Sequence, residues 1–438
     1  MYGGDCKPAD SPARTGKGAC RSVKLSLPKN SKKIIRSPFV IKLLIIMFGV
    51  EFVKGAMLVS VLPVYMRDEL GLTAYAVGWA LASQYIGDNF FRSPLGWIID
   101  RIGYRTVMLL GVLFTGLSVL VIALTDQTGW IIVACVLLGI GTSPLWPCVI
   151  TGATAVAGDE AGGSMMSVIY MSWLVGVGMG PIVINFFIIS RYEPAFWLMG
   201  AIMAAIVAVT MTLPGRRASR EIEGRLADEA PSKSSGPLPE RIRAYFRKVG
   251  QSLHASRLLY PAMFIQNFAL GLLTPVLTQY ARTVLHLSPQ QYSYFLLAGG
   301  AITVLGLIPI GRGVDRYGTR WFLHAGFLLA AVSLPVLGYM RYLPLVLVVV
   351  AVVGLGYACI IPAWNALIAK AIPKEERGAV WGFFLTIEGL GMVFGSILSG
   401  RLWDSFGPHA PFLISGASLV VLFVLHLLII RRGRISLA

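Results

Sequence analysis

Long apolar stretches alternate with short polar ones along most of this chain. Twelve apolar segments can be separated, each long enough to cross a bilayer as a helix, which takes about 20 apolar residues. Their predicted bounds are 38–66, 75–99, 106–125, 129–157, 162–190, 193–213, 257–284, 289–313, 320–340, 343–371, 376–402 and 409–430. The pattern predicts an all-α membrane protein with twelve transmembrane helices.

The second half of this series repeats the first. The matching pairs are Gly96 and Gly311, Asp100 and Asp315, Arg101 and Arg316, Gly103 and Gly318, Arg105 and Arg320, Gly176 and Gly391, and Gly180 and Gly395. Every pair is separated by 215 residues, which shared composition does not explain. The repeat predicts two pseudo-symmetric six-helix bundles, 38–213 and 257–430, with a transport site between them.

Three polar segments flank the bundles. They are a basic tail at 1–37, a linker at 214–256 and a short tail at 431–438. The first tail has no apolar core before a cleavage site, so we do not expect a secretory signal. The linker ends in RIRAYFRKVGQSLH, which fits a basic amphipathic helix on the membrane surface or a solvated loop equally well.

Composition agrees with a polytopic membrane protein. The chain is 56% hydrophobic and 13% charged, with a net charge of +17 and a mean hydropathy of +0.71. Of the 38 basic residues, 30 fall on one side of the predicted topology and 5 on the other. The positive-inside rule therefore predicts a plasma-membrane protein with both termini and the linker in the cytoplasm. The basic excess is explained by topology and by lipid headgroups, so we expect no nucleic-acid partner.

No pattern in the chain indicates an enzyme. The five cysteines have neither disulfide nor metal-site spacing, and there is no phosphate loop or nucleophile–base motif. We therefore expect no metal and no cofactor. The expected partners are protons, a small-molecule or lipid substrate and the membrane lipids, and we expect a monomer.

The first span contains two charges near its middle. Glu51 lies about 12 residues into the segment, roughly 18 Å at 1.5 Å per residue, which is near the bilayer midplane. Lys54 follows three residues later and shares its face of the helix. The second span carries Asp88 and Arg92 at i and i+4. A charge at this depth costs about 2.5–3.5 kcal/mol or more, so it needs a partner or a wet cavity.

Two interpretations of these charges stay open. They form self-neutralising structural ion pairs, or an acid among them binds and releases a proton while the neighbouring cation tunes it. Glu388 in the eleventh span has no basic neighbour at helical spacing, and its repeat position is Trp173. It is either a packed, protonated glutamate or a functional acid.

Polar and aromatic residues of other spans are candidates for lining the same cavity. Tryptophan and tyrosine faces suit sugar rings, although each residue alone is equally explained by packing. The candidates are Gln84, Trp146, Tyr170, Trp173, Gln266, Asn267, Trp364 and Asn365.

Two short loops carry the same motif. GWIIDRIGYR at 96–105 and GRGVDRYGTR at 311–320 both end a span and enter a short loop. They resemble the loop signature G-x-x-x-D-R-x-G-x-R of the major facilitator superfamily. The resemblance covers the chain from about residue 38 onward. It implies that these residues form a cytoplasmic gate, a charged contact that holds the halves closed and breaks during alternating access.

GVGMGP in the fifth span resembles the core of the superfamily's antiporter signature. Gly176, Gly180 and Pro181 match, whereas Ile184 and Asn185 replace the glycines expected after the proline. Small residues at four-residue spacing also serve plain helix packing. In the drug-exporter branch an arginine is usual at the position of Cys135, so the coupling charges are expected elsewhere.

Six segments are similar to one branch, the glycolipid flippases that move the lipoteichoic-acid anchor lipid across Gram-positive membranes. They are EFVKG at 51–55, QYIGD at 84–88, LGIGTSPLW at 138–146, YMSWLVG at 170–176, PAWNALIAK at 362–370 and VWGFFLTIEG at 380–389. The resemblance implies proton coupling and an N-terminal headgroup pocket, with the acyl chains in an apolar C-terminal half. Carried over, the polar roles fall on Glu51, Lys54 and Asp88, and the headgroup contacts on Trp146 and Trp173.

The sequence departs from that branch at two positions. An arginine is usual there at the position of Lys54, and a neutral glutamine at that of Glu388. An ammonium group cannot make the planar bidentate contact of a guanidinium.

Three hypotheses follow, namely a proton-coupled glycolipid flippase, a proton-coupled exporter of small drugs or sugars, and a non-transporting sensor or scaffold. The two loop motifs argue against the third.

Overall fold

A computed structural model describes residues 37–188, 191–215, 259–371 and 377–431. Side chains are described for these residues except 93–101, 154–155, 157–164, 167, 369–371, 377–383 and 429–431. The predicted tail at 1–36, most of the linker with its possible amphipathic helix, and the last residues of the chain lie outside the described part. So do the side chains of Gly96, Asp100 and Arg101.

The described chain is all-helical and contains the twelve predicted spans. In order they are Pro38–Glu69, Ala74–Ile102, Tyr104–Leu124, Thr128–Ala153, Val168–Ile184, Glu193–Met211, Leu259–Thr283, Pro289–Tyr317, Thr319–Tyr339, Leu343–Ala371, Arg377–Phe406 and Ala410–Arg431. The seventh span consists of two helices, Leu259–Leu273 and Leu277–Thr283. The predicted fold class is confirmed.

The range Leu145–Ile184 has helical backbone and includes the end of the fourth span and the whole fifth span. A Cβ placed on Gly152 would lie 2.9 Å from Leu43 of the first span. Ser172 Oγ donates a hydrogen bond of 2.9 Å to the carbonyl of Leu44. Twenty residues of straight helix would separate these points by about 30 Å. Because both lie at the same level of the first span, the chain reverses between them and the two spans are antiparallel.

Backbone conformations repeat at the same offset as the sequence motifs. Gly103 and Gly318, in the two loops with the shared motif, have φ of 86° and 82°. Gly71 and His286, also 215 residues apart, have φ of 62° and 53°. Glycine adopts this left-handed region without penalty, and histidine is among the side chains that tolerate it best. The pseudo-symmetry therefore extends to the turns between the spans.

Two large hydrophobic cores and one small cluster of Ala281, Leu287 and Tyr292 lie in the described part. One is built from residues between Val40 and Leu213. The other is built from residues between Leu259 and Leu422 together with Ala74 of the second span. The start of the second span therefore packs on the C-terminal half. The exact domain bounds stay a prediction.

The halves meet at one end of the bundle, which we call the outer end. It holds the turns around residues 71, 126, 286, 341 and 407 and is the end predicted to be extracellular. A Cβ on Gly78 would overlap the Ser396 carbonyl, and one on Gly400 would overlap the carbonyl of Ala74. Because Gly78 and Gly400 have no side chain, the second and eleventh spans can touch through their backbones.

The described gate residues lie at the opposite, inner end. Asp315, Arg316 and Arg320 are exposed, and the two arginines lie over the neighbouring rings of Tyr317 and Trp321, 5.2 and 5.5 Å from the ring centroids. Among the described side chains, no ion pair joins the halves at this end. The conformation is closed at the outer end.

Candidate functional site

A cluster of four charges joins the first and second spans. Lys54 Nζ lies 3.2 Å from Asp88 Oδ2 and 3.9 Å from Glu51 Oε1. Arg92 donates to the same Asp88 oxygen over 3.0 Å. Glu51 and Asp88 are 1% and 4% exposed. The structure therefore brings together the four charges that the sequence places near the middle of these two spans.

The two acids of this charge cluster have different partners. Asp88 Oδ2 receives two charged donors, whereas Asp88 Oδ1 and both oxygens of Glu51 have no hydrogen-bond partner among the described residues. The same holds for both polar side-chain atoms of Gln84, which is fully buried. Unpaired buried polar groups are costly and mark places where a ligand or solvent is expected.

Glycines let the neighbouring spans approach this charge cluster. A Cβ on Gly87 would lie 2.5 Å from the carbonyl of Val136, and one on Gly139 would lie 2.6 Å from the Asp88 amide nitrogen. The second and fourth spans therefore touch at the level of Asp88. Cys135 of the fourth span is buried one turn before Gly139 and carries no charge. Among the described residues, the fourth span therefore adds no cation at this level.

The first span changes its winding next to the charges. Its α-helix Pro38–Gly55 gives way to a π-helical segment, Ala56–Val61, followed by a short α turn and a second π segment, Tyr65–Glu69. Pro63, which has no N–H, lies between the two π segments. Such wide turns are frequent at functional sites because they shift side chains around the helix axis.

Three predicted cavity residues form one aromatic cluster beside Glu51. The ring centroids of Trp146 lie 5.2 Å from Tyr170 and 5.8 Å from Trp173. The Trp173 indole is near the carboxylate of Glu51. Tyr170 and the two tryptophans are half-buried to exposed. The cluster therefore offers aromatic faces next to unpaired acceptors.

Glu388 lies opposite this cluster, on the C-terminal half. Its carboxylate interacts electrostatically with Arg92 and with Tyr170. The Trp364 indole is near the same carboxylate, but its N–H has no partner with hydrogen-bond geometry. Trp364 is otherwise packed edge-on against Phe327, with centroids 6.2 Å apart.

The remaining predicted lining residues have separate environments. Gln266 has a buried side-chain oxygen without a hydrogen-bond partner in the described part. Asn267 donates to the Met263 carbonyl over 3.3 Å, and Asn365 is exposed. These three residues do not contact the charge cluster through any described hydrogen bond.

Sequence reasoning missed Tyr85 and Thr274. The Tyr85 hydroxyl interacts with Lys54 and hydrogen-bonds Thr274 of the seventh span. Thr274 follows the first helix of that span, whose interruption precedes Leu277. A tyrosine directly after Gln84 and a Thr-Pro pair inside a span were the available signals, but neither reveals that the two residues meet.

The antiporter-like motif packs the fifth span onto the first. A Cβ on Gly176 would lie 2.7 Å from the Phe48 carbonyl and 3.3 Å from the Cβ of Glu51. A Cβ on Gly180 would overlap the Phe52 carbonyl. Ser60 Oγ donates to the carbonyl of Pro181 over 3.3 Å. These contacts hold the helix that carries Glu51 and Lys54, and antiport stays a prediction.

A second set of contacts closes the outer end; we call Arg67, Trp403 and Asp404 the outer cluster. Asp404 accepts from the backbone N–H groups of Ala74 and Tyr75 at 3.2 and 2.8 Å. It therefore caps the second span from the eleventh span. Arg67 lies 3.9 Å from Asp404 and 5.9 Å from the Trp403 ring centroid.

Asp404→Ala should destabilise the closed outer end. Loss of a helix cap costs about 0.5–2 kcal/mol, which corresponds to roughly two- to thirtyfold in an equilibrium. We expect a cysteine at buried Ser293, whose hydroxyl bonds the Ile182 carbonyl, to react about tenfold faster with a membrane-impermeant maleimide. Glu69→Ala removes an exposed acid nearby and should leave the rate unchanged. Equal rates in both variants would show that Asp404 does not hold this end closed.

The fold and the charge cluster can now be compared with known proteins. The profile of the Major Facilitator Superfamily matches residues 43–255 and 259–436. The chain belongs to the Major Facilitator Superfamily. It is therefore a multi-pass membrane protein and a secondary transporter, not an enzyme.

Two relatives are known as proton-coupled antiporter flippase LtaA. The one from Staphylococcus saprophyticus subsp. saprophyticus is 25% identical over 372 residues, which is 83% of this chain and 86% of the relative. The one from Staphylococcus aureus is 22% identical over 367 residues, covering 83% of this chain and 87% of the relative. At this identity the likeness establishes homology to flippases without establishing the substrate.

Solved structures agree on the fold of this superfamily member. The nucleoside transporter NupG is 17% identical with a TM-score of 0.70, over 90% of this chain and 99% of the other. A POT family transporter solved with 5-aminolevulinic acid is 16% identical with a TM-score of 0.67, over 89% and 95%. The substrates of these transporters carry no inference for this chain.

Proposed function

We propose that this transporter flips a glycolipid with a sugar headgroup across the plasma membrane in exchange for protons. The observation that carries the proposal is the pairing of the buried charge cluster with the aromatic cluster on the same half. The relatives described as flippases support the same substrate class. We also propose that both termini and the linker lie in the cytoplasm, as the basic residues indicate.

The headgroup part of the proposal rests on complementary chemistry. Glu51, Gln84 and Asp88 present acceptor atoms that no described residue satisfies. Sugar hydroxyls are donors for such acceptors. The faces of Trp146 and Trp173, 5.8 Å apart at their centroids, suit the apolar face of a sugar ring. This side of the site therefore fits a polyhydroxyl headgroup.

The lipid part of the proposal rests on the contrast between the halves. Within the described spans the C-terminal half contributes Glu388 to the centre but no described buried cation. The eighth span, Pro289–Tyr317, exposes Leu297, Leu305 and Ile308 by 49, 74 and 58%. An apolar face of this kind suits acyl chains while the headgroup lies in the polar half.

We assign the proton to Glu51. Neither oxygen of Glu51 has a hydrogen-bond partner in the described part, and its nearest cation, Lys54, is shared with Asp88. A proton on Glu51 would leave Lys54 paired with Asp88 alone, which changes the charge offered to the headgroup. Proton binding and lipid binding would thereby be linked through Lys54.

Reconstitution in liposomes tests the proposal against the efflux of small drugs or sugars. The measured quantity is protection of a fluorescent glucosyl-diacylglycerol from a membrane-impermeant quencher, with and without an imposed pH gradient. We expect the gradient to accelerate flipping of the glycolipid but not of fluorescent phosphatidylcholine. Gradient-driven efflux of a soluble compound without glycolipid flipping would overturn the proposal and favour the exporter.

A further inference from the structure

The second and eleventh spans meet beside the central acids. A Cβ on Gly389 would overlap the side chain of Asn89. Asn89 follows Asp88 directly, and Gly389 follows Glu388. Arg92 lies one turn, about 4.5 Å, from Asn89 in the direction of the inner end. This contact therefore places Arg92 and Glu388 on either side of the boundary between the halves, on the inner side of the Asn89–Gly389 contact.

Arg92 has one charged partner and one unused donor in this conformation. One terminal nitrogen donates to Asp88 Oδ2 at 3.0 Å, while its buried Nε has no hydrogen-bond partner among the described residues. The side chain is 22% exposed, so it is not enclosed by the N-terminal half. The guanidinium can therefore engage a second acid without leaving its helix.

Among the described residues, Glu388 has no cation on its own half to neutralise it. The titratable and charged groups that face it among the described residues are Arg92 of the second span and Tyr170 of the fifth span. The tenth span contributes the neutral indole of Trp364. Because Arg92 is the cation of this set, an ionised Glu388 depends on the opposite half for its counter-charge.

We propose that Arg92 changes partner during the transport cycle, from Asp88 when the inner end is open to ionised Glu388 when it is closed. This proposal rests on the proposed proton coupling. Closing the inner end brings the second and eleventh spans together on the inner side of the Asn89–Gly389 contact. The Arg92–Glu388 ion pair then stabilises the closed inner end across the boundary between the halves.

Protonation of Glu388 reverses this step. A proton from the outer water forms an O–H bond on Glu388 while the inner end is closed, and Arg92 returns to Asp88. The inner end opens, the same O–H bond breaks, and the proton leaves to the inner water. Glu388 thus carries one proton per cycle in addition to the proton assigned to Glu51, in the direction opposite to a substrate that leaves from the inner side.

Distance measurements between spin labels test the exchange without any substrate. The labels are placed on cysteines at Thr106 and Trp321, which lie 215 residues apart at the inner end and are both exposed, after the native cysteines are replaced by alanine. In lipid nanodiscs we expect the ratio of closed to open inner ends to rise at least about fivefold between pH 5 and pH 8, a usual size for such coupling.

Five variants decide whether the pair causes this response. Glu388→Gln and Arg92→Gln should each keep the inner end open at pH 8, and the double variant should add nothing further, as for two members of one ion pair. Arg92→Lys should retain part of the response, because it keeps the charge. Glu193→Gln, a change at an exposed acid of the sixth span, should retain all of it.

Additive effects of Glu388→Gln and Arg92→Gln would overturn the proposal, as would an unchanged pH response in Glu388→Gln. A wild-type ratio that does not respond to pH would overturn it as well. Failure of the flipping assay leaves these outcomes readable, since the distances are measured without lipid substrate. The two proposals can therefore fail separately.

Discussion

Glu51→Gln and Asp88→Asn should each abolish the stimulation of transport by a pH gradient. Glu51→Gln removes the acid to which we assign the proton. Asp88→Asn leaves Lys54 and Arg92 without the oxygen that both contact, at 3.2 and 3.0 Å. An uncompensated charge at this depth costs about 2.5–3.5 kcal/mol, so we expect a loss of about a hundredfold in the gradient-driven rate.

The rate is measured as gradient-driven flipping of fluorescent glucosyl-diacylglycerol in liposomes. The amount of folded protein is measured separately by size-exclusion chromatography in detergent. Glu193→Gln makes the same chemical change at an exposed acid and should keep the wild-type rate. If both central variants transport normally, the four charges are structural ion pairs and the coupling acid lies elsewhere.

We expect Gly180→Ala to destabilise the N-terminal half more than any other single added methyl group would. The added Cβ would overlap the carbonyl of Phe52 and lie 2.9 Å from the amide nitrogen of Ala56. Both are backbone atoms and cannot rotate away, so the first and fifth spans must separate. Overpacking of this kind typically costs about 1–3 kcal/mol. We expect the thermal unfolding midpoint in detergent to fall by several degrees and transport to be lost.

Gly178→Ala is the matched control for this prediction. Gly178 lies half a turn away on the same helix, and a Cβ there meets no atom within 4 Å. We expect an unchanged or slightly raised midpoint, because alanine favours the helix over glycine. Equal midpoints for the two variants would mean that the glycine motif does not set the spacing between the first and fifth spans.

Local signals predicted most of the fold. Apolar length defined the spans, and the 215-residue offset predicted matching turns, which recur as left-handed residues at Gly103 and Gly318. The charge cluster was equally accessible, because the i, i+3 and i, i+4 spacings place Glu51 beside Lys54 and Asp88 beside Arg92 within single helices.

Contacts between distant spans were not accessible in this way. Glu388 has no basic residue at helical spacing, and its counter-charge, Arg92, lies on the other half of the molecule. Asp404 caps the second span at Ala74 although some 330 residues separate them. Such pairs depend on which helices meet and at what level, and neither periodicity nor composition encodes that register.

The most direct test of the central claim is proton movement driven by the lipid. Liposomes containing the protein and an internal pH dye receive glucosyl-diacylglycerol in the outer leaflet, with no pH gradient imposed and the membrane voltage clamped. Inward flipping coupled to antiport should carry protons out and alkalinise the interior, and Glu51→Gln should show no change. Lipid that reaches the inner leaflet at the wild-type rate without alkalinisation, or alkalinisation with a soluble compound only, would contradict the account.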